Sequence, residues 1–338
     1  MKVIFRQEQA LHRPRWEWNF GKRNPYPEKA SRVNTILQHL KKRGFGEDIV
    51  QARSYPTTLL NRVHDPRLVR HIKSCRDLPE GQRVYAHIFP YRSYQVHPRT
   101  DLKRAGYYCF DVGTDIDRYT YDAAKSAVDV ALHGAELIAK GKETHVFAVC
   151  RPPGHHADRA IYGGYCYFNN AAIAAFRLSQ HGRVAVLDLD FHHGNGTQSL
   201  FYESPHVFVA SLHGDPRYFY PYFCGFRTEK GEGLGRGCNL NQPLPIGTDD
   251  QEYLRVLTKT IKTIKKFAPH SLVVSMGFDT FVGDPVGGFT LTSECYTVIG
   301  GLVRRVGVPV LACLEGGYAV KELGVNAANF FTGLACGD

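Results

Sequence analysis

The sequence predicts an α/β fold, a single domain with a mostly parallel β-sheet flanked by helices, and three observations carry the prediction. Short runs rich in Val, Ile, Ala and Leu alternate with segments of helical periodicity, the pattern of strands buried on both faces and joined by crossover helices. The 338 residues hold no low-complexity linker and no internal repeat, so one domain is expected over 1–338, with a loop insertion around 80–110. Finally, several apolar runs end abruptly in RPPGHHA, FHHGNG, GFDTFVGDP and EGGY. Parallel sheets gather their sites beyond the carboxyl ends of their strands.

Taken in order, the elements begin with MKVIF, an apolar run cut short by Arg6 and therefore a first strand rather than a secretion signal. SRVNTILQHLKKRGF (31–45) sets Val33, Ile36, Leu37 and Leu40 on one helical face, with Ser31 placed to cap and Gly44 to stop. Residues 121–140 predict a longer helix ending at Gly141, followed by a buried strand at 145–150 and a helix at 169–180. Further strands are expected at 183–190, 206–213, 271–277 and 308–315, and a helix from about Asp249 to Phe267.

Composition narrows the class. Hydrophobic residues at 43% and charged residues at 22% are ordinary for a globular protein, and no stretch approaches the ~20 apolar residues of a membrane span. Nine cysteines without a CxxC pair argue against a disulfide framework and against a thiolate zinc site, so a reduced, cytoplasmic protein is expected. The net charge of +10 is concentrated in the first 60 residues, where 12 Lys and Arg face 5 Asp and Glu. A solvated face is the expectation, because no nucleic-acid-binding motif accompanies the charge.

The stretch AVLDLDFHHGNGTQ (185–198) sends two aspartates and two histidines down an apolar strand, where an isolated carboxylate costs several kcal/mol to bury. Alternation along an extended strand puts Asp188, Asp190 and His192 on one side, and a neighbouring strand can bring Asp279 to the same rim. Asp190, His192 and Asp279 make a three-ligand set that leaves positions open for water and substrate, as catalytic zinc does; the oxygen ligands suit Fe(II) or Mn(II) as well. The tandem His155 and His156 follow a rigid Pro-Pro-Gly turn and offer a general base and a general acid, with Asp188 the natural partner of His155. Tyr318, after two glycines, places a phenol where it can donate to an oxyanion.

With these residues assembled, the chain resembles the zinc-dependent deacetylase family, which groups histone deacetylases with bacterial acetylpolyamine amidohydrolases and shares its fold with arginase. The motifs that carry the resemblance are CRPPGHHA, GGYCYFNNAAIAA, LDLDFHHGNGTQ, ASLHGDP, GFDTFVGDPVGGFTLT and LEGGY, in the family's order. MKVIF, GYYC at 106–109 and the asparagine pair 169–170 look most like the acetylpolyamine branch. The resemblance implies zinc at Asp190, His192 and Asp279, with acid and base duties shared by His156 and His155 and oxyanion stabilisation by Tyr318. It also implies a structural potassium ion at Asp188 and Ser211 with the main-chain carbonyls of Leu212, Asp190 and His192. Gly164, Tyr165 and Tyr220 would line a narrow channel for an acetylated alkyl amine, with Tyr108 beside them where several histone deacetylases carry an aspartate that grips a peptide.

Departures from the pattern bear on substrate. Asn195 stands where histone deacetylases have an aspartate paired to the second histidine, so His156 should be less readily protonated. Lys103 and Arg104 fall where polyamine enzymes place acids, and Val286 where a eukaryotic polyamine deacetylase has glutamate. The expected activity is hydrolysis of the acetamide of an acetylated primary amine, the alternatives being deacetylation of Nε-acetyl-lysine in proteins and, lower, a non-catalytic acetyl-amine binding module. Expected partners are a small acetylated amine or an acetyl-lysine peptide, with no nucleic acid and no membrane, and a homodimer formed through the segment containing PYRSYQVHPR.

Overall fold

The computed structural model describes residues 1–89 and 102–336. PYRSYQVHPR, the expected dimer segment, and the side chains of Lys103 and Arg104, which the sequence sets where polyamine enzymes place acids, lie outside the described residues. In chain order the elements are β1 (Lys2–Phe5), a hairpin of β2 (Trp16–Asn19) and β3 (Lys22–Pro25), α1 (Ser31–Lys42), β4 (Ile49–Gln51) and α2 (Pro66–Lys73). Next come the short β5 (Arg83–Val84) and β6 (Ile116–Asp117), α3 (Thr120–Ala139), β7 (His145–Ala148), α4 (Asn170–Ser179), β8 (Val184–Asp188) and α5 (Asn195–Phe201). The chain finishes with β9 (Val207–Gly214), β10 (Asn239–Leu244), α6 (Asp250–Phe267), β11 (Ser271–Met276), α7 (Cys295–Arg304), β12 (Val310–Leu314) and α8 (Val320–Cys336).

The predicted α/β class is the one observed. Eight strands form one sheet in the order β10-β9-β8-β11-β12-β7-β1-β4, and every pairing in it is parallel. Alternation along each strand divides the core in two. In β8, Val184 and Val186 join the layer under α2, α3 and α4, while Ala185 and Leu187 join the layer under α1, α6, α7 and α8. Every residue of β8, β11 and β12 is buried, which is why these strands read as continuous apolar runs. Each fully buried Val or Leu adds roughly 1.5–3 kcal/mol relative to exposure, so the central strands are rigid supports for the loops at their carboxyl ends.

Two local expectations change. Ser31 is the first helical residue of α1 and Ala30 precedes it without a side-chain cap, whereas Asn169 and Asp249 do cap α4 and α6 by accepting from the N–H groups of Ala172 and Glu252. The strand predicted over 183–190 stops at Asp188, and the chain beyond it turns through side-chain-to-backbone bonds.

Candidate active site

Strand order decides where a site can form. From β8 the chain moves outward through β9 and β10, then returns to β11 on the opposite side of β8 and continues to β12. This reversal opens a crevice between the carboxyl ends of β8 and β11, the place where open α/β sheets hold ligands. Asp190 and His192 follow β8, and Asp279 follows β11. One ligand atom from each of the three lies within 4.8 Å of the others. His192 Nδ1 is 3.3 Å from Asp190 Oδ1 and 3.1 Å from Asp279 Oδ2.

The three converge by a route other than strand alternation. The N–H of Asp190 donates to Asp188 Oδ1 (3.1 Å), that of His192 to Asp190 Oδ1 (2.9 Å), and that of Phe191 to Asp279 Oδ1 (2.9 Å). Each carboxylate thus holds the loop that presents the next ligand. Gly316 donates its N–H to Asp190 Oδ2 at 2.7 Å, and a Cβ there would run into both carboxylates, so only glycine lets the β12 loop close over the trio.

The electrostatics of this cluster call for a cation. Burial pushes the Asp279 carboxyl up to about 7, and the adjacent Asp190 adds to the shift. Burial also works against the Asp190 carboxylate, but the imidazoles of His155 and His192 hold it below its usual range. Burial would lower His192; the two carboxylates outweigh it and raise the ring to about 9. Two buried carboxylates bridged by a protonated imidazole are a donor set that fits a divalent cation, which would supply the positive charge and release the proton. The arrangement leaves coordination positions free, as a catalytic metal requires.

His155 and His156 sit beside the trio with ring centroids 4.0 Å apart and their planes tilted by 47°. His155 Nδ1 donates to Asp188 Oδ2 at 3.0 Å. Burial lowers this ring, but Asp188 and Asp190 overcome it and hold its pKa up at about 10. His156 Nδ1 donates to Asn195 Oδ1 at 2.7 Å, which leaves the Nε2 lone pair as the acceptor. Burial, with His155 and His192 nearby, pushes His156 well below its usual value. The amide of Asn195 orients the ring without adding the charge that an aspartate would. Tyr318 is buried, its N–H donates to Asp284 Oδ2 (2.6 Å), and the Arg32 guanidinium carbon lies 5.0 Å from its ring centre. Burial raises its phenol well above the usual value against the pull of Arg32, so the hydroxyl remains a donor.

These groups open onto a cavity of about 670 Å³ whose lining includes His155, His156, His192, Gly164, Tyr165, Tyr220, Val286 and Tyr318. Tyr108 is not part of it, and its expected place in the channel is corrected. Tyr108 is buried against His71 with ring centroids 4.4 Å apart, and Phe110 and Asp111 reach the wall instead. Ser211 is the register partner of Asp188 on β9, and its hydroxyl bonds His213 Nδ1 at 2.7 Å. Sequence reasoning passed over two carboxylates of this wall. Asp111 Oδ2 accepts from Tyr220 Oη (3.0 Å) and the Gly164 N–H (2.6 Å), and its Oδ1 caps a turn through the N–H groups of Gly113 and Thr114. Glu17 accepts from Tyr165 Oη at 2.6 Å, and its carboxyl is raised by burial. The DVGT turn signature was the one signal for Asp111; Glu17 had only its place in the alternation of WEWN. No Lys or Arg is among the described lining residues.

A buried trio able to hold a divalent cation, with an imidazole pair and a phenol donor around it at a strand switch, defines a metal-dependent hydrolase of amide bonds. Residues 26–334 match the histone deacetylase domain. The chain belongs to the histone deacetylase family and is an amidohydrolase of the acetylpolyamine amidohydrolase-like branch. It is 42% identical to acetylpolyamine amidohydrolase 2 of Pseudomonas aeruginosa over 98% of each chain, and 41% identical to acetylpolyamine amidohydrolase of Mycoplana ramosa over 99% of this chain and 100% of that one. Its fold is similar to the crystal structure of acetylpolyamine aminohydrolase from Burkholderia pseudomallei, with a TM-score of 0.94, 33% identity and 99% of both chains covered.

Proposed function

We propose that the protein removes the acetyl group from acetylated polyamines, small primary amides that carry at least one further ammonium group. The observation that carries this reading is the pair of carboxylates on the cavity wall. Glu17 and Asp111 face it, no described Lys or Arg lines it, and burial of Glu17 without a cationic partner is a cost that a bound ammonium offsets. Around the mouth, Trp18, Phe20, Phe89, Tyr222 and Phe223 offer aromatic faces to a methylene chain and its charges, Phe20 being 87% and Phe223 92% exposed. The bacterial relatives named for acetylpolyamine hydrolysis point the same way.

In this reading Asp190, His192 and Asp279 hold Zn²⁺, with Fe²⁺ suited to the same ligands. When bound, the cation polarises the acetyl carbonyl and eases deprotonation of a water. His156 accepts that proton at Nε2, and His155, carrying charge supported by Asp188, shares the return of a proton to the leaving amine. Tyr318 donates its hydroxyl proton in a hydrogen bond to the acetyl carbonyl oxygen as negative charge develops on it. Gly164, Tyr165 and Tyr220 confine the alkyl chain; the left-handed backbone at Gly164 (φ +58°) lets this wall press against His156, where a Cβ would collide. We place a structural K⁺ at Asp188 and Ser211 with the carbonyls of Leu212, Asp190 and His192, which the burial of an aspartate and a serine on paired strands supports. A cytoplasmic homodimer completes the proposal; the eight described cysteines are all free, as a reducing compartment keeps them.

The test is acetate release by metal-loaded protein from N-acetylputrescine, N-acetylspermidine and acetyl-lysine peptides. The reading predicts kcat/KM at least about tenfold higher for the acetylpolyamines, a difference of ~1.4 kcal/mol in transition-state binding. Equal or greater activity on the peptides contradicts it.

A further inference from the structure

A second set of metal-ligating atoms lies beside the first. One ligand atom each of His155, Cys166 and Glu315 falls within 4.8 Å of the other two, and all three residues are buried. Glu315 Oε2 accepts from the N–H groups of Gly154 (2.6 Å) and His155 (3.1 Å), but Oε1 has no partner although its residue is wholly buried. An orphaned buried carboxylate oxygen costs at least ~1–3 kcal/mol, and the charge of the neighbouring His155 only partly offsets the burial of Glu315. Nδ1 of His155 is engaged by Asp188, which leaves Nε2 to offer.

We propose that His155, Cys166 and Glu315 form a second, weaker divalent-cation site, selective for zinc-like metals over Mg²⁺ and Ca²⁺, whose occupation switches the enzyme off. A thiolate, an imidazole and one carboxylate oxygen are the mixed soft and borderline ligands that zinc and cobalt accept and hard cations do not. The off-switch rests on the acid-base role proposed for His155; the binding does not. A cation on Nε2 takes the place of the proton that His155 would return to the leaving amine.

The order of filling follows from charge. His155 Nε2 is 3.8 Å from Asp190 Oδ1, so a second cation would sit near the first and be repelled by it. On binding, Cys166 must also give up its thiol proton and the charged His155 its Nε2 proton, both to solvent, and burial holds that thiol well above its usual range. The trio of Asp190, His192 and Asp279 fills first.

Stepwise Co²⁺ addition to the metal-stripped protein tests the site, because the first trio contains no sulfur. The first equivalent should bring ligand-field absorption alone, and the second a thiolate-to-cobalt charge-transfer band. Cys166→Ser should lose that band and keep the first equivalent. Glu315→Gln retains an acceptor for the two N–H groups and should weaken the second equivalent at least about tenfold. With Zn²⁺, acetate release should fall at least tenfold as the second equivalent binds the native chain, and not in Cys166→Ser. Saturation at one Co²⁺, or a thiolate band that survives in Cys166→Ser, overturns the site; equal inhibition of Cys166→Ser overturns the switch. Absence of acetate release at every zinc loading, with the band intact, overturns the deacetylase reading and leaves the site standing.

Discussion

Tyr318 and Asn195 carry the sharpest consequences for single side chains. A phenol kept protonated by burial acts mainly where negative charge develops, so Tyr318→Phe should lower kcat by about 10²–10³-fold and change KM little. A proportionate rise in KM with kcat intact would assign the tyrosine to substrate binding. Replacing Asn195 with Asp puts a carboxylate 2.7 Å from His156 Nδ1 in place of an amide oxygen. An adjacent negative charge favours the imidazolium, so the base becomes protonated at higher pH. The acid limb of the kcat/KM profile should therefore move up by about one pH unit or more, and an unmoved limb would show that another group governs it. Asp190, His192, Asp279, His155 and His156 were legible in the sequence because titratable side chains in apolar or rigid surroundings need a reason to be there. Glu17 was not, being one acid in an alternating hairpin strand. Tyr108 was misplaced because its neighbour Cys109 bridges to Tyr162 and turns the chain, so that Phe110 and Asp111 face the cavity.

Elements before the site hold it through polar contacts that hydrophobic patterning does not show. His64, just before α2, is buried; its Nδ1 donates to the Asp158 carbonyl (2.8 Å) and its Nε2 accepts from the N–H of Asn169 (2.9 Å), the residue that caps α4. Burial lowers its pKa to about 4, against about 6.5 in the unfolded chain. The unfolded state then takes up a proton that the native state refuses, so the His64 contribution is complete above pH 6.5 and is lost as pH falls from 6.5 to 4. Over that window the loss is on the order of 3 kcal/mol. In urea titrations His64→Gln should be less stable than the native chain at pH 7 and lose less stability between pH 6.5 and 4; parallel pH curves would refute this. The central strands were readable from sequence because both their faces are buried. β10 was not: NLNQPL lies at a sheet edge, carries Pro243 and pairs with β9 alone, so no apolar run marks it. The hairpin of β2 and β3 likewise depends on a Phe20-Gly21 turn with φ of 48° and 73°, a geometry its sequence signals only through the glycine.

At the scale of the molecule, the net charge and the carboxylates of the substrate wall have opposite signs. The chain carries +10, yet apart from the histidines at the metal trio the charged residues of the described cavity wall are Glu17 and Asp111. Overall repulsion of a polycation is screened within about 10 Å at 0.1 M salt, so attraction in the cavity governs binding once the substrate arrives. Glu17→Gln keeps an acceptor for Tyr165 and removes the charge. It should lower kcat/KM several-fold for N-acetylspermidine, about 1 kcal/mol, and leave an uncharged N-acetylalkylamine unaffected; equal losses on both would reduce Glu17 to a support for Tyr165. Lys103 and Arg104, which the sequence sets where polyamine enzymes place acids, have side chains outside the described residues; the acids that line the described wall were hard to foresee because they come from a distant hairpin and from a turn. The whole of the proposed chemistry depends on a cation gripped at the switch between β8 and β11. Diffraction above and below the zinc absorption edge from crystals of zinc-loaded protein measures this most directly. One strong anomalous peak about 2.0–2.2 Å from oxygens of Asp190 and Asp279 and a nitrogen of His192 is the predicted result. No peak among those three side chains, with zinc bound elsewhere, would contradict it.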